Sequence, residues 1–357
     1  MCLWVHGPPQ RCLRLPSTRD GPRHPGTRRG LRAARPRRGV ERRPVRPGAH
    51  ASGCVNDGQA IEQVIERVEL WKGRDVTVSP LSGGLTNSNY LVETDGARYV
   101  VRIPGRSTEL LAVDRENERH NAEAAATTGV APRVLEYLAE LNVMVVEFIE
   151  GETMSGERLR SPAMARRMGD SLKRLHAGPR FLHDFDMFRL VEFYLGVCDE
   201  HGVTIPHGFR DRMRQVAAVE RAFGKRPSAT RPCHNDLLAE NYIDDGTQLW
   251  ILDFEYSGNN DPCFELGDTA QECGFDQELR SVLCEAYFGE VRADLLGRMN
   301  LQAVMADVGW TLWAAIQARI SPIDYDFWGW AIERWDRAAA AFDSEDFPRW
   351  LRDTARG

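Results

Sequence analysis

The sequence predicts an α+β fold of two lobes: a β-rich N-terminal lobe with one inserted helix, then a mainly helical C-terminal lobe. Short β-type runs cluster before residue 150, helical periodicity dominates after Gly151, and one segment, VEFIEGE, joins the two regimes. A chain of 357 residues is long enough to bury a sizeable core and enclose a cleft between two lobes.

From Asp57 to Trp71 the apolar residues Ile61, Val64, Ile65 and Val68 recur at helical spacing and predict an opening amphipathic helix. Strands follow at Val76 to Leu81, Asn89 to Glu93 and Tyr99 to Ile103, separated by the turn segments SGGLTNS and TDGA. Residues 113–128 read as the inserted helix, and Val134 to Tyr137 with Val143 to Ile149 as a further hairpin. Beyond Gly151, helices are predicted at about 161–177, 186–200, 206–222, 276–287, 292–319 and 324–341. One hairpin interrupts them, NYI and LWILDFE flanking DDGTQ, and no internal repeat is found.

Residues 1–55 read as a disordered Arg/Pro-rich extension. The first fifty residues hold thirteen Arg and eight Pro against two acids, Asp20 and Glu41, and too few aliphatic residues to offset the entropy of ordering. A targeting peptide or an RNA-binding arm is also Arg-rich, but the prolines oppose an amphipathic helix and no apolar region supports secretion. The expectation is an inert tail, or a working start downstream near Val40, Val45 or Val55. Residues 51–357 carry 33 basic against 50 acidic residues, a net of −17. Such a body has no general attraction for nucleic acid or an anionic membrane, so an anionic ligand needs a local cationic site or a metal ion. Eight Cys without a CxxC pair predict free thiols in a cytoplasmic protein. No stretch approaches the roughly 18 to 20 apolar residues of a membrane span.

The most specific signal is CHNDLLAENYIDDGTQLWILDFEYSGNNDP. Asp236 and Asn241 resemble the Asp and Asn of the protein-kinase HRDLxxxN loop in their spacing, and Asp253 opens a DFE triplet where those enzymes have DFG. Phosphoryl transfer from ATP needs an acceptor hydroxyl held in line, and hard oxygen ligands for the metal that neutralises the phosphates. Asp236 is therefore the candidate base, with Asn241 and Asp253 as Mg²⁺ ligands; His234 is read as structural. The loop of Ser82, Gly83, Gly84, Thr86 and Asn87 has the small residues of a phosphate-covering loop, although a Gly-Gly turn between strands is the ordinary explanation of such a segment. Arg102 lies where a protein kinase has its phosphate-binding strand Lys, Glu118 on the next helix is its expected partner, and the backbone of Glu147 to Ile149 is expected to meet adenine.

LSGGLTNSNYLV, RIPGRSTE, GVAPRVL, EFIEGETM, HNDLLAEN, ILDFEYSGNNDP and GWTLWAAIQARISPIDY, in this order, resemble the choline/ethanolamine kinase family, within the wider group of aminoglycoside phosphotransferases. The resemblance spans about residues 75–340 and implies a protein-kinase-like fold. It makes 56–150 the nucleotide-binding lobe and 151–345 the catalytic and substrate-binding lobe. Arg at position 102 is similar to what choline kinases carry. In the family, positions matching Trp310, Trp313 and Trp330 line the choline pocket, where Trp330 stands for a Tyr of some members. Glu255, the last residue of DFE, is grouped with them as an acceptor-side carboxylate.

A quaternary ammonium has no N–H, so aromatic faces and nearby carboxylates recognise it. Tyr325, Phe327 and Trp328 add to the supply of such faces, although Trp at helical spacing is also ordinary core. The expected function is ATP- and Mg²⁺-dependent phosphorylation of choline. Ethanolamine or an aminoglycoside stays open as acceptor, since Asp261, Glu265 and Glu272 suit either amine, and a catalytically silent nucleotide-binding module is the alternative of another class.

Overall fold

The computed structural model describes residues 13–15, 57–81, 84–105 and 108–356. In the N-terminal lobe, β1 (Leu13–Leu15), β2 (Val76–Leu81), β3 (Asn87–Thr94), β4 (Ala97–Pro104), β5 (Val134–Leu138) and β6 (Val143–Glu147) form one antiparallel sheet in the order β1-β2-β3-β4-β6-β5. Helix α1 (Asp57–Arg67) packs the stripe Ile61, Val64, Ile65 and Val68 against Val76, Val78, Val92 and Val101 of the sheet. Helix α2 (Arg115–Ala126) is the inserted helix; Asp114 caps it by accepting from the backbone N–H groups of Glu116 and Asn117 at 3.0 and 3.1 Å. Of residues 1–55 only β1 is described, and the expectation of disorder for the rest of that segment lies outside the described residues.

The C-terminal lobe begins with β7 (Glu152–Thr153), α3 (Gly156–Leu159), α4 (Pro162–His176), α5 (Met187–His201) and α6 (Met213–Lys225). The short strands β8 (Arg231–Cys233), β9 (Tyr242–Asp244), β10 (Leu249–Ile251) and β11 (Gly258–Asn260) follow, paired as β10-β9-β7 and β11-β8. Helices α7 (Pro262–Glu272), α8 (Gln277–Phe288), α9 (Ala293–Ile320), α10 (Phe327–Asp343) and α11 (Phe347–Arg356) complete the chain. Thus an antiparallel β lobe with one inserted helix precedes a helical lobe, the architecture the sequence predicts. Among the described residues no helix is long and apolar enough to cross a membrane. Cys198, Cys233, Cys263, Cys273 and Cys284 are buried free thiols.

Three helices have no counterpart in the sequence expectation: the single turn α3, α7 and α11. Helix α7 is buried on all sides from Pro262 to Ala270, so no polar face marks its period, and Pro262 looks like a breaker although it sits in the first turn, where proline fits. Helix α11 lies beyond residue 345 and packs on α9 and α6. Helix α9 is the axis of the lobe. Its 28 residues are buried almost continuously from Gly297 to Gln317, against α5, α7, α10 and α11.

Candidate active site

The loop between β8 and β9 carries Asp236, and α7 holds it by its backbone. The Glu265 carboxylate accepts from the N–H groups of His234 and Asn235 at 3.0 and 2.9 Å, and Asp268, one turn later, accepts from Leu237 N–H at 2.9 Å. Asn235 has φ +69°, a left-handed conformation costing about 1 kcal/mol or more in a non-glycine residue. Its side chain offsets that cost by donating to the Tyr256 carbonyl at 3.1 Å and accepting from the Asn260 amide at 2.9 Å. His234 Nε2–H donates to the Leu252 carbonyl at 2.7 Å, and its Nδ1 accepts from Asp236 N–H at 3.3 Å. With both nitrogens engaged in the neutral form, and burial lowering its pKa, His234 holds the loop rather than a substrate proton.

Asp236, Asn241 and Asp253 converge on one cavity, lined also by Leu85, Thr86, Leu238, Glu255, Tyr256, Trp310, Trp313 and Trp330. Asn241 Nδ2 donates to the Asp236 carbonyl at 2.8 Å, while its Oδ1 is buried without a hydrogen-bond partner. Asp253 also sits at positive φ, +70°. Burial, reinforced by the charge of Asp253, pushes Asp236 up to about 7. Burial, again with Asp253, pushes Glu255 up to about 8.

Arg102, inward on β4, donates to Glu118 of α2 at 3.1 Å and to Asp253. A cation thus bridges the two lobes at the cavity wall. Arg115 donates to Glu118 at 2.6 Å and lies 3.5 Å from Glu255. Of the predicted phosphate loop, Ser82 and Gly83 lie outside the described residues. Gly84 has φ +100°, and a Cβ there would meet the Asn87 carbonyl oxygen at 2.5 Å, so the turn requires glycine. Thr86 Oγ1 and Asn87 Nδ2 donate to the two oxygens of Glu255 at 2.6 and 3.0 Å. Glu255 therefore anchors the loop as well as lining the cavity. Glu147 ends β6 with its N–H given to the Arg133 carbonyl at 2.9 Å, and Ile149 packs with Ile243 and Leu252 at the joint between the lobes.

The side of the cavity opposite Arg102 and Glu118 is an aromatic box. Trp310 lies 5.0 Å from Tyr256 at 71°, and Trp313 lies 5.4 Å from Trp330 at 73°, edge to face in both pairs. Trp310 Nε1 donates to Asp268 at 3.1 Å, and Trp313 Nε1 donates to the Tyr256 hydroxyl at 2.7 Å. The Arg334 guanidinium stacks on the Trp330 ring, 3.3 Å from its centroid. Phe327 packs on Trp313 instead of lining the cavity, Tyr325 borders a neighbouring cavity, and Trp328 is exposed.

Three residues at the site are absent from the sequence expectation: Leu238, which also lines the cavity, Tyr256 and Asp268. Tyr256 is the fourth wall of the box, and its place directly after the DFE triplet is the signal that could have found it. Asp268 ties the catalytic loop to Trp310; no spacing rule marks it. The acids expected to suit the amine are corrected: none of the three lines the cavity that holds Asp236. Asp261 caps α7 and pairs with Arg298, Glu265 holds the catalytic loop, and Glu272 is paired with Arg334 and, at 3.0 Å, with Arg337.

A cleft between a β lobe and a helical lobe, bridged by Arg102 and Asp253 beside Asp236 and Asn241 under a glycine turn, is the arrangement of a two-lobed phosphotransferase. The model of the phosphotransferase enzyme family matches residues 77–299. Mouse ethanolamine kinase 1 is 30% identical over 315 residues, covering 75% of this chain and 84% of that protein. Protein LicA of Haemophilus influenzae is 27% identical over 267 residues, covering 72% and 77%. A crystal structure of a choline/ethanolamine kinase family protein from Mesorhizobium loti has a TM-score of 0.73 at 34% identity, covering 84% of this chain and 99% of that one. The chain belongs to the choline/ethanolamine kinases within the phosphotransferase enzyme family, and is a phosphotransferase with an alcohol group as acceptor.

Proposed function

We propose that the protein transfers the γ-phosphoryl group of ATP to the hydroxyl of choline, giving ADP and phosphocholine. The observation that carries this is one cavity with Asp236, Asn241 and Asp253 on one side and Tyr256, Trp310, Trp313 and Trp330 on the other. The ammonium head sits among the rings, which compensate its lost water without any N–H donor. Its hydroxyl then reaches Asp236, which takes the proton as the oxygen attacks phosphorus. A carboxylate held near neutral pH suits that task better than one at the ordinary value.

Mg²⁺ fits the residues present. The buried Asn241 Oδ1 lacks a protein partner, and with the carboxylate of Asp253 it offers the hard oxygens this ion takes. Bound there, the ion would neutralise charge on the β and γ phosphates. Arg102, fixed by Glu118, is the protein's own cation for the phosphates, and Gly84, Thr86 and Asn87 cover them from above. The backbone of Glu147 to Ile149 is the proposed adenine contact.

Ethanolamine kinases among the relatives keep that amine as a second reading. Choline is favoured because both oxygens of Glu255 already accept from Thr86 and Asn87, which leaves the box aromatic in character. The test is ADP release from Mg²⁺-ATP with choline, ethanolamine, an aminoglycoside and no acceptor. Choline should give the highest kcat/KM; release independent of any acceptor would overturn the proposal.

A further inference from the structure

Trp310, Trp313 and Gln317 stand at i, i+3 and i+7 on α9, the spacing that places three side chains along one helix face. The two Trp rings wall the acceptor cavity. Gln317, equally buried, reaches across to the other lobe and donates from Nε2 to the Leu85 carbonyl at 3.0 Å. Leu85 and Thr86 are the N-terminal lobe's contribution to the same cavity. One face of one helix therefore carries both the aromatic walls and the anchor of the segment that roofs them.

Two side-chain attachments of different kinds tie the roof to the C-terminal lobe. Thr86 and Asn87 bond to Glu255, two residues after Asp253. The Leu85 carbonyl bonds to Gln317, one helical turn beyond Trp313 on the acceptor side. The bond is part-buried, and losing its donor costs up to about a tenfold factor in the equilibrium that seats the Leu85 carbonyl. The second attachment is thus strong enough to fix how far Leu85 lies from the rings.

We propose that Gln317 is a positioning residue that sets the roof of the acceptor cavity, and through it the fit of the ammonium head. Its side chain does not itself line the cavity. Its effect falls on acceptor binding, with nucleotide binding left to Arg102, Thr86 and Asn87. The inference rests on the acceptor reading given above for this cavity.

The test uses the full chain with Gln317→Met, which keeps length and apolar bulk but removes the donor, and Gln317→Glu, which keeps the shape and sets a carboxylate against the carbonyl. Hydrogen exchange of the amides of residues 85–87 is measured without substrate, alongside KM for choline and for ATP. Faster exchange at these amides, unchanged exchange along α9, and a KM for choline raised about tenfold with KM for ATP within about twofold are expected. Unchanged exchange at residues 85–87 overturns the anchor whatever the acceptor proves to be. Faster exchange with both KM values rising together, or neither, overturns its acceptor role. Failure of the choline reading shows separately, as wild-type protein that does not turn choline over.

Discussion

Replacing Trp310 by Leu removes one wall of the aromatic box and leaves an apolar side chain in its place. Trp310 is only 3% exposed, faces Tyr256 at 5.0 Å, and lines the cavity with Trp313 and Trp330. A quaternary ammonium that loses one desolvated aromatic face loses about 2 kcal/mol, or about thirtyfold in kcat/KM. A primary ammonium can recover part of the loss by donating to oxygen acceptors, so ethanolamine should lose only about threefold by the same reckoning. Trp310→Phe separates the ring face from the N–H that Trp310 gives to Asp268 at 3.1 Å. Burial raises the pKa of Asp268 above its ordinary value, and losing this one donor should cost about 1 kcal/mol. Phe should therefore keep most of the choline activity that Leu loses. The assay is initial-rate ADP release over a range of each acceptor. Equal losses for choline and ethanolamine in Trp310→Leu would refute the cation–π basis of recognition.

Asp236→Ala should lower turnover by at least about a thousandfold, within the range that a positioned base supplies, while calorimetry still detects ATP binding. Undiminished turnover would remove Asp236 from its role. The acceptor proton can be taken only by the ionised carboxylate, and burial raises Asp236 from its ordinary 3.8 to about 7. Hence kcat/KM for choline, which reports the free enzyme, should be full above about pH 7 and fall about tenfold per unit below it. A flat profile from pH 5 to 8 would contradict this. Glu265→Ala strips acceptors from two buried N–H groups, those of His234 and Asn235, and should destabilise the protein by roughly 4 kcal/mol. A midpoint of thermal unfolding unchanged within error would show that α7 does not hold the loop.

Asp236, Asn241 and Asp253 were legible because the reaction constrains both residue type and spacing, and the three side chains meet in one cavity. Arg102 and Glu118 were legible as a pair because they fall at fixed places on consecutive elements, and the structure sets them 3.1 Å apart. The aromatic box was half legible: its Trp residues were expected from resemblance, whereas Tyr256 was hidden within a motif already assigned to the nucleotide side. Contacts that depend on tertiary packing left no periodic trace. Asp268, Glu265 and Gln317 each bond to a backbone group far along the chain, and a sequence shows a side chain but not the backbone it meets. The same limit explains α7. A helix buried on every side offers no alternation of polar and apolar residues to read.

The most direct measurement is a ³¹P NMR time course with Mg²⁺-ATP and equal concentrations of choline and ethanolamine. The proposed activity predicts that phosphocholine accumulates ahead of phosphoethanolamine, in step with ADP. Predominant phosphoethanolamine would contradict the choice of acceptor, and ADP without either phosphomonoester would contradict the proposed role of the cavity.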